Sequence, residues 1–354
     1  MSSLEKEYRL DLEMLEEKFK SLGLRKLLPV EFKDAKEPGT YALVFYLERP
    51  IKIRNWVFTK GVYVYVGSAK KGLKTRLSRY LSVPAKKFWH IDFVLPYANI
   101  LFAYVGNSIS ETELAKILSR YYPSIERFGN SDDKHSISHL FFVPPLHYII
   151  NSFYEEGIKR KAPVYNAITQ IKDPFERFIF VFLSSRTKDE ITFRVTKNFV
   201  SKFDSWDKIK KATVEEIESL IYGVAFYRQK SRNLKKISEM LHGKYVPSSY
   251  DELIKLPGVG RKIAKVFLAD VFNSDVIGVD VHVHRISNRL SIINTKTEHE
   301  SDIVLNLMIP SSLKQKFNIS FVGYGQVVCL PKNPRCSECK IKEYCRAYAV
   351  LMQE

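Results

Sequence analysis

Four cysteines in the last 26 residues of this 354-residue chain have a spacing that suits metal binding. They follow the pattern Cys329-x6-Cys336-x2-Cys339-x5-Cys345. Disulfides are disfavoured because no secretion signal is apparent. Zinc prefers two short C-x2-C pairs, and only one is present here, whereas a [4Fe–4S] cluster takes four cysteines and tolerates unequal spacing. The pattern favours an iron–sulfur cluster and leaves zinc as the alternative.

A glycine-rich turn in residues 251–269, DELIKLPGVGRKIAKVFLA, has the features of an anion site. Gly258 and Gly260 permit a tight turn and a close approach of phosphate to the backbone. The N–H groups at the beginning of the following helix attract negative charge. The segment predicts a helix–hairpin–helix that holds DNA phosphates with Gly258, Val259, Gly260 and Arg261. A plain helical hairpin is the alternative.

A lysine and an aspartate, 18 residues apart, follow this turn. Lys262 falls in the first turn of the second helix, where the helix dipole disfavours a positive charge. That position suits an amine that acts as a nucleophile, although a solvated surface lysine is the alternative. Asp280, in GVDVHVHR, begins the next helix, and aspartate is a favoured N-cap.

Together these motifs resemble the catalytic and cluster segments of the endonuclease III family. The resemblance covers about residues 146–354. It implies that Lys262 forms a Schiff base, that Asp280 is the catalytic carboxylate, and that the four cysteines hold a [4Fe–4S] cluster with a structural role. Between the first two cysteines, Lys332 and Arg335 would face the DNA backbone.

Other positions of the same family can be transferred, with departures. Arg186 in LSSRTKD stands where the family has a Gln that fills the gap left by a flipped base. Phe226 in AFYRQK resembles a second intercalating residue, with core packing as the alternative. Asp189 matches an aspartate near the pocket, or caps a helix. Val281 replaces a Thr, and His282 touches phosphate or simply packs.

The resemblance implies a bifunctional DNA glycosylase and AP lyase of base excision repair. We expect removal of damaged pyrimidines, oxidised ones first, and strand cleavage by β-elimination through Lys262. Adenine-removing relatives typically lack this lysine. The alternatives are a catalytically idle sensor of DNA damage and a mismatch or adenine glycosylase.

The first part of the chain has a different pattern. Runs of β-branched and aromatic residues predict strands, the segment 111–122 predicts a helix, and beyond Pro144-Pro145 nearly every segment has helical periodicity. The pattern therefore predicts a multi-domain chain with a helical lead-in, a small α+β domain and an all-helical domain. The resemblances described in this section imply that the α+β domain is GIY-YIG-like and that the all-helical domain is an HhH-GPD glycosylase domain that includes the cluster loop. The predicted domains are 1–35, 36–145 and 146–354, with the cluster at 329–345, and the predicted strands are 40–47, 61–67, 90–95, 100–106 and 139–143.

Two tripeptides in the α+β domain, Gly39-Thr40-Tyr41 and Tyr65-Val66-Gly67, resemble the halves of the GIY-YIG nuclease motif. The resemblance makes Tyr41, Tyr65, Arg76 and Glu113 a possible second nuclease site, with Mg²⁺ on the glutamate. Residues 89–92 and 128–140 look more like an uncharacterised archaeal offshoot of that superfamily. An active nuclease, a DNA-binding accessory and a protein-interaction domain all remain open.

The charge balance points to a polyanionic partner. The chain has 56 basic and 39 acidic residues, a net charge of +17, and residues 49–91 contain eleven Lys or Arg but no Asp or Glu. We expect damaged double-stranded DNA as the partner, no membrane, and a monomer. Because the first twenty residues lack the apolar block of a secretory signal, we expect an intracellular protein.

Overall fold

The computed structural model describes residues 3–83, 86–130, 133 and 135–352, and Ser131 and Asp132 of the archaeal-type motif lie outside them. The chain separates into two compact units. Unit 1 comprises the chain up to Ser152, the segment Ser287–Thr295 and the chain from Cys336 onward. Unit 2 comprises Phe153–Ile286 and Lys296–Arg335. The units therefore differ from the predicted domains, because two segments of the predicted domain 146–354 pack with unit 1.

The described residues form seven strands and sixteen α-helices. The strands are β1 Arg25–Leu27, β2 Gly39–Leu47, β3 Ile51–Ile53, β4 Trp56–Phe58, β5 Gly61–Ala69, β6 Ala98–Gly106 and β7 Leu140–Val143. The helices are α1 Ser3–Ser21, α2 Leu73–Arg79, α3 Glu111–Leu118, α4 Leu146–Lys159, α5 Pro163–Gln170, α6 Pro174–Ser184, α7 Asp189–Lys202, α8 Trp206–Lys211, α9 Val214–Leu220, α10 Tyr227–Leu241, α11 Tyr250–Leu253, α12 Arg261–Phe272, α13 Val281–Arg289, α14 Glu298–Met308, α15 Ser311–Val327 and α16 Arg346–Leu351.

Unit 1 is built on an antiparallel sheet in the order β1-β6-β2-β5-β7. The side chains of β2 and β5 are buried along nearly their whole length, so both faces of these central strands are covered. Tyr41 on β2 lies opposite Gly67 on β5. A Cβ atom at Gly67 would collide with the Tyr41 ring, so the glycine of the second tripeptide makes room for the tyrosine of the first.

One predicted strand is wrong. Residues 90–95 form two 3₁₀ turns, His90–Phe93 and Leu95–Tyr97. The buried carboxylate of Asp92 accepts hydrogen bonds from the backbone N–H groups of Phe88 and Trp89, each at 2.8 Å. A carboxylate that accepts hydrogen bonds from nearby backbone N–H groups in this way stabilises a turn instead of pairing with a neighbouring strand.

Residues from the end of the chain complete the core of unit 1. Tyr344 is 2% exposed, and its hydroxyl bonds to Glu7 of α1. Its ring lies 6.3 Å from that of Tyr8, and the backbone N–H of Lys60 donates to Glu343 O at 3.0 Å. The lead-in helix is therefore packed partly by residues more than 300 positions later.

Unit 2 is all-helical, apart from its loops, in the part of the chain described. Its core holds the inner faces of α6, α7, α10 and α12. Phe178 of α6 meets Phe267 of α12 edge to face, with ring centroids 5.5 Å apart. This contact fixes α12, whose first turn holds the predicted lysine. Among the described residues, we find no helix with the length and apolarity needed to cross a membrane.

Candidate active site

The structure brings Lys262 and Asp280 together. Lys262 lies in the first turn of α12, and its Nζ is 3.8 Å from Asp280 Oδ2. The lysine side chain is 36% exposed and that of the aspartate 11%. An accessible amine beside a shielded carboxylate can attack an electrophilic carbon while the carboxylate stabilises positive charge on the substrate.

The two oxygens of Asp280 have separate contacts. Oδ1 accepts the backbone N–H groups of His282 at 2.9 Å and Val283 at 3.0 Å, so Asp280 is the N-cap of α13. Oδ2 is the oxygen that faces Lys262. The aspartate both caps the helix and faces the lysine, because the cap fixes its orientation.

A cavity of about 1030 Å³ opens beside this pair. That volume lies just above the usual range for ligand sites. Its lining includes predicted site residues from three segments, namely Arg186, Asp189, Lys262, Asp280 and His282.

The cavity also contains a glutamine that the sequence motifs did not indicate. Gln326 Nε2 donates to Asp189 Oδ2 at 2.7 Å, and its Oε1 accepts the N–H of Val164 at 3.1 Å. Burial raises the pKa of Asp189, an effect that Gln326 and the charge of Lys262 oppose and that of Asp280 reinforces. Asp189 is therefore electrostatically coupled to the lysine–aspartate pair.

The surroundings of His282 favour its neutral form. Burial lowers its pKa, against the attraction of the Asp280 carboxylate. Its Nδ1 lies 3.2 Å from Arg285 Nη2.

The two predicted wedge residues, Arg186 and Phe226, lie on connected loops. Both have left-handed backbones, with φ of 58° and 57°. Thr187 Oγ1 accepts the N–H of Ala225 at 3.0 Å, which ties one loop to the other. Phe226 is 64% exposed, so the alternative of core packing does not hold.

A buried lysine that the sequence did not single out holds the Arg186 loop. Lys230 is 6% exposed, and its Nζ donates to Leu183 O at 2.7 Å and Ser185 O at 2.9 Å. These carbonyls belong to the end of α6, where a helix leaves acceptors unused. Burial, with a contribution from the charge of Lys262, lowers the pKa of Lys230 to about 8.

The glycine turn differs at its two glycines. Gly258 has φ of +80°, and a Cβ there would collide with Asn233. Gly260 has an ordinary backbone, and a Cβ there would meet no atom within 4 Å. Val259 is buried and donates its N–H to Leu256 O, so it belongs to the turn itself. The exposed Arg261 lies 2.8 Å from a ring nitrogen of His299.

In unit 1 the structure brings three of the four predicted nuclease residues together, since the charge of Arg76 acts on the hydroxyls of both Tyr41 and Tyr65, and it leaves Glu113 outside this group. Tyr41 and Tyr65 are buried, and the Tyr41 hydroxyl bonds to that of Tyr80 at 2.5 Å. Arg76 is half-buried, with its guanidinium 4.9 Å from the ring of Trp89. Glu113 is exposed on α3. It belongs to no group of three or more metal-ligand side chains within the described ranges, so nothing supports Mg²⁺ there.

Glu111, two residues earlier on α3, is the glutamate that faces the sheet. It accepts a hydrogen bond from Ser68 Oγ at 2.5 Å and lies 2.9 Å from His139 Nδ1. His139 Nε2 lies 3.0 Å from Asp133 Oδ2. Burial lowers the pKa of His139, but Glu111 and Asp133 outweigh burial and raise it.

Comparison with known proteins identifies two sequence families in the chain. Residues 179–310 match the HhH-GPD superfamily of base excision DNA repair proteins. Residues 40–158 match a domain of unknown function, DUF123. Endonuclease III of Thermotoga maritima is 41% identical over 179 residues, which cover 50% of this chain and 84% of that protein. The endonuclease III homolog of Encephalitozoon cuniculi is 34% identical over 191 residues, which cover 50% of this chain and 80% of that protein.

The chain belongs to the endonuclease III family. Among solved structures, a non-covalent endonuclease III–DNA complex is similar at 30% identity and a TM-score of 0.53, covering 59% of this chain and 97% of that one. A trapped covalent intermediate of endonuclease III with DNA is similar at 29% identity and a TM-score of 0.53. The match covers 58% of this chain and 97% of that one. Endonuclease III family proteins are DNA glycosylases and AP lyases of base excision repair, and this chain is one of them.

The endonuclease III family generally carries a [4Fe–4S] cluster. The four cysteines of this chain are half-buried, and Lys332 and Arg335 are exposed. In the ranges that the structure describes, no three His, Cys, Asp or Glu side chains form a group arranged to hold a metal ion. The assignment of the cluster to these cysteines therefore stays a prediction.

Proposed function

We propose that this endonuclease III family protein removes damaged pyrimidines, oxidised ones first, and cleaves the strand with Lys262 as nucleophile and Asp280 as catalytic carboxylate. The observation that carries the proposal is the 3.8 Å between Lys262 Nζ and Asp280 Oδ2 beside a cavity of about 1030 Å³. The endonuclease III–DNA complexes similar to this chain support DNA as the substrate.

The proposed reaction begins when the damaged nucleotide leaves the base stack and enters the cavity. The bond between C1′ and the base breaks with its electrons going to the base, and the Asp280 carboxylate stabilises the cationic sugar. The lone pair of Lys262 Nζ bonds to C1′, and the proton that this nitrogen loses goes to the departed base, which carries the electron pair. Opening of the sugar ring then gives an imine.

Strand cleavage follows from the imine. Loss of a proton from C2′ allows the C3′–O bond to break, and the 3′ phosphate leaves with the electron pair. Hydrolysis of the imine by water then restores Lys262. The lysine is accessible for this sequence because its side chain is 36% exposed.

Borohydride trapping on duplex DNA with an abasic site tests the nucleophile. Borohydride reduces the imine to a stable amine, so the wild-type protein should remain joined to DNA. Lys262→Ala should lose the adduct, and Lys262→Arg, which keeps the charge but forms no imine here, should lose it too. Lys255→Ala changes an exposed lysine seven residues earlier and should trap normally.

An adduct that persists in both Lys262 variants would overturn the assignment. Absence of any adduct with the wild-type protein, together with tight binding to damaged duplex, would favour the damage-sensor alternative. A panel of thymine glycol, uracil, 8-oxoguanine mispairs and abasic sites separates pyrimidine removal from the mismatch and adenine alternatives.

We further propose that Cys329, Cys336, Cys339 and Cys345 hold a [4Fe–4S] cluster. The donor set fits, because four cysteines are the usual ligands of this cluster. When bound, the cluster would organise the loop that presents Lys332 and Arg335 to DNA. Iron and sulfide analysis of the purified protein should find both elements, and a Cys345→Ser variant should hold less iron.

For the N-terminal domain we propose an accessory DNA-binding role. The eleven basic residues without an acidic one in 49–91 support it. The nuclease alternative predicts Mg²⁺-dependent cutting that Glu113→Ala removes while Lys262-dependent trapping persists. Glu111→Ala is the informative companion, because Glu111 is the glutamate that contacts the sheet.

A further inference from the structure

Two adjacent aromatic side chains of unit 1 are exposed. Phe88 is 74% exposed and Trp89 is 37% exposed, and their ring centroids are 5.0 Å apart at an interplanar angle of 80°. Leaving large aromatic surface in water forgoes the free energy of burial. Grouped exposed apolar side chains commonly mark a binding surface.

The backbone that carries these rings is anchored by a buried charge. Asp92 is fully buried and accepts the N–H groups of Phe88 and Trp89, each at 2.8 Å, and Arg79 Nη2 at 2.6 Å. Burial raises the pKa of Asp92, but these donors outweigh it and hold the pKa below its usual value. The ionised carboxylate fixes the segment, so the aromatic pair is displayed on an ordered turn.

Cations surround the aromatic pair. The Arg76 guanidinium lies 4.9 Å from the centre of the Trp89 ring. Lys86 and Lys87 precede the pair and are exposed. Residues 49–91 around them contain eleven Lys or Arg and no Asp or Glu, and the carboxylate that follows, Asp92, is buried and bonded to Arg79. The surface is therefore complementary to a chain of phosphates.

We propose that Phe88 and Trp89 stack unpaired bases of a single-stranded nucleic acid, while Arg76, Lys86 and Lys87 bind its phosphates. Cations alone would hold any polyanion, but exposed ring faces select bases that are free to leave a stack. The inference rests on the accessory DNA-binding role proposed above and adds the kind of strand bound and the residues that bind it.

Binding of the full-length chain to labelled oligothymidylate tests the proposal. Excess unlabelled undamaged duplex should be present to occupy duplex-binding surfaces. Replacing both rings, Phe88→Ala with Trp89→Ala, should weaken binding about tenfold or more, as expected for lost stacking. Val30→Ala removes an apolar side chain that is 73% exposed on the same unit and should leave binding unchanged.

Two further variants separate stacking from general damage to the fold. Phe88→Leu with Trp89→Leu keeps apolar side chains and should bind as weakly as the alanine pair, with an unchanged melting temperature. Trp89→Phe should keep most of the binding but lose most of the base-induced quenching of tryptophan fluorescence, because Trp206 is buried and Trp56 is only partly exposed. A parallel titration with oligouridylate distinguishes DNA from RNA.

Wild-type affinity in the leucine and alanine pairs would overturn the proposal. Inorganic polyphosphate, which has no bases, should compete poorly, and equal competition would also overturn it by leaving only charge attraction. The aromatic variants should still be trapped on abasic duplex, and Lys262→Ala should still bind oligothymidylate. Failure of the stacking surface is thus distinguishable from failure of the proposed catalytic pair.

Discussion

At the scale of single residues, Asp280 combines a structural and a chemical task on different oxygens. Asp280→Asn keeps an acceptor for the α13 cap and removes the charge, because asparagine is also a good N-cap. We expect stability close to that of the wild type but base removal slower by about 100-fold or more. Asp280→Ala removes both the cap acceptor and the charge, so it should also lower the free energy of unfolding by about 1 kcal/mol. Thermal melting measures the effect on stability, and single-turnover base release measures the effect on catalysis. Equal stability of both variants would contradict the assignment of the two tasks to different oxygens.

His139 should make the stability of unit 1 depend on pH. Its pKa is raised in the folded protein by Glu111 and Asp133, against the lowering effect of burial. The stabilisation is therefore complete below the unfolded pKa of about 6.5 and is lost as pH rises through the raised folded value. We expect the urea midpoint of His139→Gln to approach that of the wild type at alkaline pH and to fall furthest below it near pH 6. A constant difference across that range would exclude this role.

The sequence could predict some residues of the site and not others. Lys262 and Asp280 belong to local sequence motifs, and both side chains line the same cavity. Lys230 and Gln326 lie in motif-like segments, but they act through contacts with residues 45 and 137 positions away, and such partners cannot be read from a local segment. On α3 the resemblance to the nuclease motif points to Glu113, whereas the helix turns Glu111 toward the sheet, where it bonds to Ser68.

At the scale of elements, the two glycines of the turn before α12 should differ in how well they tolerate a side chain. Gly258→Ala must hold a left-handed backbone and displace Asn233, so we expect a loss of about 1 kcal/mol or more of stability. Gly260→Ala is sterically open and should keep the wild-type melting temperature. Its methyl group would still obstruct a phosphate approaching the helix N-terminus, so its affinity for duplex DNA should fall. Equal DNA affinity of Gly260→Ala and the wild type would argue for a plain helical hairpin.

Elements with strong periodicity were predicted well. The helical pattern of 261–272 and the apolar runs of β2, β5 and β6 are found where the sequence indicates them. The segment 90–95 was read as a strand from its apolar content. The deciding interaction is local: the Asp92 carboxylate accepts the N–H groups three and four residues earlier, which stabilises a turn, and apolar content alone does not reveal this contact.

At the scale of the whole molecule, residues near the end of the sequence stabilise unit 1. Tyr344→Ala removes a side chain that is 2% exposed and packs near Tyr8, so we expect a loss of about 3 kcal/mol or more of stability. Hydrogen exchange should report the loss in β5 and α1. Tyr245→Ala, at a position 96% exposed, is the matched control and should leave exchange unchanged. Unchanged protection of α1 in Tyr344→Ala would contradict the importance of this contact.

The contact of Tyr344 with α1 also sets an order of events during translation. The ribosome makes Glu7 and Tyr8 more than 300 residues before it makes their partner Tyr344. The sheet of unit 1 leaves the exit tunnel long before that aromatic contact can form, so the nascent α1 keeps part of its apolar face in water until Tyr344 has emerged. A chain arrested before this tyrosine should be digested by protease at α1, although every strand of the sheet has already been translated.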